Sequence, residues 1–264
     1  MPTVRAIVTR PAAQAGRWVQ ALQARGCQAA ALPLISIAPP LDLAPVQAAW
    51  QDLARFNLVM FVSASAVQHF FDARPQGLAW PPGALAGSPG PGTSAALLTA
   101  GVPPDQLVQP APEDLRFDSE ALWVQLRGRP WQGRQALIVR GEQGRDWLAD
   151  TLRAAGTEVA FVAAYRRLPP QPDAQCQELL AAAQAEPADY VWVFSSSEAV
   201  GHLRGLCPDA DWSTSRALAS HPRIAQAART AGFGQVDLVS PTAEAVAQRL
   251  ASLRPGAPLQ SGLS

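Results

Sequence analysis

The sequence predicts an α/β protein of two similar, doubly wound, mostly parallel-sheet lobes joined by two extended crossover strands. Three observations carry this. Short apolar, β-prone runs alternate with amphipathic helical stretches along the whole chain, the order that builds open parallel sheets covered by helices on both faces. The chain repeats itself once, with a second copy beginning near Ala136. Each copy contains an apolar run closed by two prolines, residues 31–38 before Pro39-Pro40 and residues 159–168 before Pro169-Pro170, and prolines there cannot continue into a sheet interior. At 264 residues the chain is long enough for two domains, each with its own core.

The elements follow in order. A strand over residues 4–9 leads through Arg10-Pro11 into a helix whose apolar face is Ala15, Trp18, Val19 and Leu22, stopped at Gly26. The same order returns at Ala136-Leu137-Ile138-Val139, Arg140-Gly141, a helix carrying Trp147, Leu148 and Leu152, and a stop at Gly156. Leu22-Gln23-Ala24-Arg25-Gly26 answers Leu152-Arg153-Ala154-Ala155-Gly156. A helix marked by Val46, Trp50 and Leu53 precedes the buried strand 58–62 and the turn Ser63-Ala64-Ser65. The counterpart, 191–203, aligns without a gap and pairs Phe61 with Phe194, Ser63 with Ser196 and His69 with His202. Ala84-Leu85-Ala86 before Gly90-Pro91-Gly92-Thr93 matches Ala217-Leu218-Ala219 before Ser220-His221-Pro222-Arg223. Each copy ends on a short strand and a helix, with Asp118 and Thr242 as N-caps. Residues 255–264 have linker composition and read as a flexible tail.

Composition narrows the chemistry. Apolar residues make up 48% of the chain and charged ones 16%, with 21 of each sign, which favours neither disorder nor nucleic-acid binding and points to a small-molecule or protein partner. All 21 basic residues are arginine, so no lysine can form a Schiff base or complete a Walker A loop. Cys27, Cys176 and Cys207 are isolated and fit neither a disulfide framework nor a zinc site. The chain opens directly on a strand, without a basic-then-apolar leader, and no uncharged apolar run approaches membrane length. A soluble, cytoplasmic protein is expected.

In such sheets ligands collect outside the carboxyl ends of the strands, where helix N-termini offer unpaired N–H groups. Predicted strand-to-helix turns hold Thr9 with Arg10, Ser63 with Ser65, Thr93, Arg140 with Gly141, Ser195 to Ser197, and Ser220 with His221. This suits a ligand rich in carboxylates or phosphates, although each hydroxyl is equally well an ordinary N-cap. His69 and His202 read as packing or surface residues. Tyr165, one of two tyrosines, sits beside Arg166 and Arg167 in the second Pro-Pro-closed run, expected to project near the space the crossings enclose. It is either a positioned proton donor or an amphipathic residue at a domain seam.

Taken together these residues resemble the uroporphyrinogen-III synthase family. The likeness runs to about Leu253 through Val8-Thr9-Arg10-Pro11, Phe61-Val62-Ser63-Ala64-Ser65-Ala66-Val67, Gly90-Pro91-Gly92-Thr93, Asp118-Ser119-Glu120-Ala121-Leu122, Arg140-Gly141-Glu142, Tyr165-Arg166-Arg167, Phe194-Ser195-Ser196-Ser197 and Ser220-His221-Pro222-Arg223. The resemblance implies a HemD-like fold: residues 1–33 and 169–254 in one lobe, 40–162 in the other, and 34–39 and 163–168 as crossovers. It implies cyclisation of the linear tetrapyrrole hydroxymethylbilane, which bears eight carboxylates, with inversion of its last ring and loss of water. The resemblance implies no metal or organic cofactor. Composition and hydropathy already point away from nucleic acid and membrane, a monomer is expected of a clamp that must flex, and a transient contact with the preceding pathway enzyme is a further expectation. By the same resemblance Tyr165 is the donor, direct or through water, that assists hydroxide departure. Ser63, Ser65, Thr93, Ser195, Ser196, Ser197 and His221 bind carboxylates, and Arg10 and Arg140 shape the turns or add charge. Ser65 stands where the family often has asparagine. The rival class is a cytoplasmic two-lobed binding or regulatory protein without catalysis.

Overall fold

The computed structural model describes residues 4–111 and 117–253. The first half of the chain runs β1 (Arg5–Val8), α1 (Ala12–Gln23), β2 (Gln28–Ala31), β3 (Ser36–Ala38), α2 (Ala44–Gln51), β4 (Leu58–Phe61), α3 (Ala64–Asp72), β5 (Leu85–Gly87), α4 (Pro91–Thr99), β6 (Leu107–Val108) and α5 (Ser119–Leu126). The second runs β7 (Gln135–Gly141), α6 (Trp147–Ala154), β8 (Glu158–Leu168), α7 (Ala174–Ala185), β9 (Tyr190–Phe194), α8 (Ser197–Leu206), β10 (Arg216–Ala219), α9 (Pro222–Thr230), β11 (Gln235–Leu238) and α10 (Ala243–Ala251). Two compact units result, one of Met1–Ser36 with Leu168–Ser264, the other of Ile37–Arg167.

The first unit holds a five-stranded sheet in the order β11-β10-β9-β1-β2, parallel throughout. The second holds six strands in the order β3-β8-β7-β4-β5-β6, and the pairings from β8 to β6 are parallel. With β3 set aside, the two orders are the same arrangement of repeat-equivalent strands. Each unit therefore combines the opening β-α-β of one sequence copy with the later strands of the other, an exchange that the repeat by itself leaves undetermined.

Local sequence explains the elements. Apart from Arg216 at the start of β10, the inner strands β4, β9 and β10 are largely apolar and nearly all buried, as expected of strands covered on both faces. Gly26 and Gly156 sit at φ 78° and 84° at the ends of α1 and α6, backbone values at which a side chain would be strained. Asp118 accepts the Ala121 N–H at 2.8 Å and Thr242 the Ala245 N–H at 3.2 Å, closing the first turns of α5 and α10. Aromatic clusters fill each unit. Trp50 stacks on Phe70, and Phe61, Phe71 and Trp80 pack beside them. In the other unit Trp192, Phe194, Trp212 and Phe233 do the same.

The first of the two extended runs differs from the expectation. Residues 31–38 do not form one strand: β2 ends at Ala31, β3 begins at Ser36, and Pro33, which has no N–H to give a ladder, lies between. Leu32 N–H still donates to Val8 O at 2.9 Å and Leu34 N–H to Thr9 O at 3.3 Å, while His202 Nδ1 lies 2.6 Å from Leu34 O. The second run, 159–168, is continuous, and residues 163–168 are its last part. They complete the eleven-residue strand β8, which pairs with β7 and neighbours β3, and Arg166 Nε donates to Pro39 O at 3.1 Å. The expected tail, 255–264, lies outside the described residues.

Candidate active site

In the second unit the candidate residues gather where β4, β5, β7 and β8 end. Ser63 leaves β4 in extended conformation and caps α3, its Oγ accepting the Ala66 N–H at 3.2 Å. The same hydroxyl donates to the phenolic oxygen of Tyr165 at 3.4 Å. Ser65 is buried in the first turn of α3 and Thr93 in that of α4. The turn before α4 is built by residues that sequence reasoning passed over. Ser88 Oγ donates to Gly90 O at 2.9 Å, and Ser94 Oγ donates to Ser88 Oγ at 2.9 Å. Gly90 is needed because a Cβ there would stand 3.0 Å from Cβ of Phe117.

Arg140 closes β7. Its guanidinium pairs with Asp146 and lies over the Phe161 ring, 4.1 Å from the centroid, so it holds the following loop rather than standing free. Arg145 pairs with Glu120 at 2.6 Å, tying the same loop to the start of α5.

Tyr165 does not project openly. Its ring is 2% exposed and belongs to the core of the second unit, near Phe61, Val139 and Val162. The ring is stacked with the imidazole of His69 at a centroid distance of 6.2 Å. Burial pushes the His69 pKa down, partly opposed by Asp72. His69, read from sequence as a packing residue, thus packs against the tyrosine of interest.

The first unit carries its own array at the ends of β1, β9 and β10. Thr9 is buried, and its Oγ1 donates to Val193 O at 2.8 Å, joining β1 to β9. Arg10 follows, half-buried over the Trp18 ring at 4.3 Å, with one N–H directed at Gln14 Oε1 3.4 Å away. Desolvation lowers its pKa to about 10, so it remains cationic at neutral pH. Ser196 caps α8 by accepting the Glu198 N–H at 3.2 Å, Ser195 is half-buried before it, and Ser197 Oγ reaches Arg223 O at 3.5 Å. His221 is exposed and caps α9 through Nδ1, which accepts the Arg223 N–H at 3.1 Å. That contact requires an unprotonated Nδ1 and leaves the ring proton on Nε2. A cavity of about 590 Å³ in this unit lies elsewhere, at the edge strand β2 and the first residues of β1 and β9, and none of the candidate residues lines it.

Each array therefore combines helix N-termini, hydroxyls and a guanidinium at the carboxyl ends of a parallel sheet, a setting suited to anions. The family model described as Uroporphyrinogen-III synthase HemD matches residues 16–248. The chain belongs to the uroporphyrinogen-III synthase family. Among curated relatives, the uroporphyrinogen-III synthase of Salmonella typhimurium is 32% identical over 163 residues, covering 61% of this chain and 64% of that protein. The enzyme of the same name from Escherichia coli is 30% identical over 162 residues, with the same coverages. The aligned stretch thus spans less than two thirds of either relative. The fold resembles the solved structures of a mutant uroporphyrinogen III synthase from Thermus thermophilus and of uroporphyrinogen-III synthetase from Helicobacter pylori. The first likeness has a TM-score of 0.55 at 19% identity, covering 94% of this chain and 98% of that one. The second has 0.50 at 14%, covering 95% and 100%.

Proposed function

We propose that this member of the family is itself a uroporphyrinogen-III synthase, closing hydroxymethylbilane to uroporphyrinogen III with inversion of ring D and loss of water. The observation that carries the reading is the family match across residues 16–248. The geometry supports it: Ser65, Thr93 and Arg140 in one unit, and Arg10, Ser195, Ser196, Ser197 and His221 in the other, supply donors for a substrate studded with carboxylates, while Ser63, expected to bind a carboxylate, has its one proton committed to Tyr165. Two of these roles are refined by the contacts. Arg140 acts through the loop it holds at Asp146, and His221 has only its Nε2 proton to offer.

Tyr165 is proposed as the proton donor. Ser63 already supplies the hydrogen bond that the phenolic oxygen accepts, so the phenol O–H is left to donate. Protonation of the terminal hydroxyl lets it leave as water, and the electron-rich pyrrole forms an azafulvene cation. The substituted carbon of ring D attacks that cation, a spiro intermediate opens and recloses with the ring turned over, and the proton lost on rearomatisation returns to the phenolate. The chain's main contribution is to hold head and tail of a flexible substrate in contact, a proximity effect that can lower a barrier by about 7–11 kcal/mol.

In this reading the substrate is received from the preceding pathway enzyme through a transient contact, and the working compartment is the cytoplasm, where free thiols such as Cys27, Cys176 and Cys207 persist. The described helices include none long and apolar enough to cross a membrane. The test is a rate. Freshly made hydroxymethylbilane should disappear far faster with the protein than by spontaneous closure, and a rate equal to the blank would overturn the proposal.

A further inference from the structure

The strand pairing beside Tyr165 is irregular in a way that serves one side chain. From Gln135 to Arg140 each residue of β7 faces its partner in β8 in step, ending at Arg140 opposite Ala163; the register then shifts, and Gly141 stands opposite Tyr165. The extra residue on β8 makes a bulge-like irregularity in the pairing, and such irregularities re-aim side chains beside them. The re-aimed ring comes down on Gly141. A Cβ built at Gly141 would stand 3.1 Å from both Cε2 and Cζ of Tyr165, tight enough that the ring must give way by a few tenths of an ångström, and Cζ is the carbon that carries the phenolic oxygen. The ring is also stacked with His69 at 24° between planes, within the range of favourable aromatic pairs, and its oxygen is held by Ser63.

From this we infer that the bulge after Arg140 and the missing side chain of Gly141 form a seat that sets the phenol of Tyr165 where it works, making Gly141 a positioning residue for the reaction and His69 its second wall. The inference rests on Tyr165 being the proton donor proposed above. Gly141 is buried at a strand end with an unexceptional φ, so backbone freedom does not explain the glycine; the ring does. An added methyl would push Cζ, and the oxygen with it, out of its present place. A displacement of about 1 Å at a reacting group can cost about a hundredfold in rate.

The test is a cycle of Gly141→Ala and Tyr165→Phe, read by kcat, KM and the resonances of 13C-labelled tyrosine. Tyr165 and Tyr190 are the only tyrosines, so two signals suffice. Gly141→Ala should shift the Tyr165 resonance, leave that of Tyr190 in place, and lower kcat at least about tenfold while KM changes little. In the Tyr165→Phe background, where no phenol remains to be misplaced, it should lower kcat no more than about twofold, because two substitutions that act on one group do not add. Should Gly141→Ala fail to fold, His69→Ala takes its place in the same cycle, with the loss again confined to the Tyr165 background. Equal losses in both backgrounds, or an unshifted Tyr165 signal with unchanged kcat, would overturn the seat while leaving Tyr165 as donor. Unchanged kcat in Tyr165→Phe alone would end both readings.

Discussion

The hydroxyl of Ser63 stands 3.4 Å from the phenolic oxygen of Tyr165, across 102 positions of sequence, and at the same time takes the N–H of Ala66 at 3.2 Å. One side chain thus begins a helix and steadies a phenol. Ser63→Ala is expected to lose about 1 kcal/mol of stability through the cap and to lower kcat. Ser63→Thr, which keeps the hydroxyl, should recover most of both in urea unfolding and steady-state assays. A wild-type kcat in the alanine variant would detach the hydroxyl from the tyrosine.

Thr9 separates structure from chemistry. It is buried and donates to Val193 O at 2.8 Å, so its hydroxyl is committed to joining two strands. Thr9→Val should cost about 1 kcal/mol with KM and kcat unchanged once the protein is folded; a raised KM would make Thr9 a ligand contact after all.

Arg10 behaves oppositely. No carboxylate pairs with it among the described residues, and desolvation lowers its pKa to about 10, well below the ordinary arginine range. A base with a lowered folded pKa binds fewer protons folded than unfolded, so its charge opposes folding below about pH 10, and that penalty is relieved as pH rises above it. Arg10→Gln should therefore leave the melting temperature at neutral pH unchanged or higher, and raise KM for the polycarboxylate substrate. An unaltered KM would leave Arg10 with no role beyond its contact with Trp18.

His221 can be a cap, a ligand contact or both. Its Nδ1 accepts the Arg223 N–H, a role that Asn can fill and Ala cannot. His221→Ala should lose about 1 kcal/mol and raise KM, whereas His221→Asn should restore stability alone. Restoration of KM together with stability would reduce His221 to a cap.

The sequence carried the fold's order well because its signals are local. Apolar runs, capping residues such as Asp118 and Thr242, and the stops at Gly26 and Gly156 each report on their own few residues, and the repeat multiplied them. What it could not carry was contact at long range. The break at Pro33 inside an apolar run is settled by where Leu32 and Leu34 donate, on the far side of β1's end. The exchange of repeat halves between units is a matter of which strands pair, and side-by-side copies would read identically. At the site, hydroxyls at strand ends were legible as a class, but the burial of Tyr165, its contact with His69 and its seat on Gly141 depend on a register shift between β7 and β8. The trace left in sequence was a glycine at the β7 end where the first copy has Pro11.

The most direct measurement is the isomer of the product. After incubation with hydroxymethylbilane, oxidation and chromatographic separation should give predominantly type III porphyrin, because only guided closure turns the last ring over. Type I porphyrin alone, in the amount formed without protein, would contradict the account.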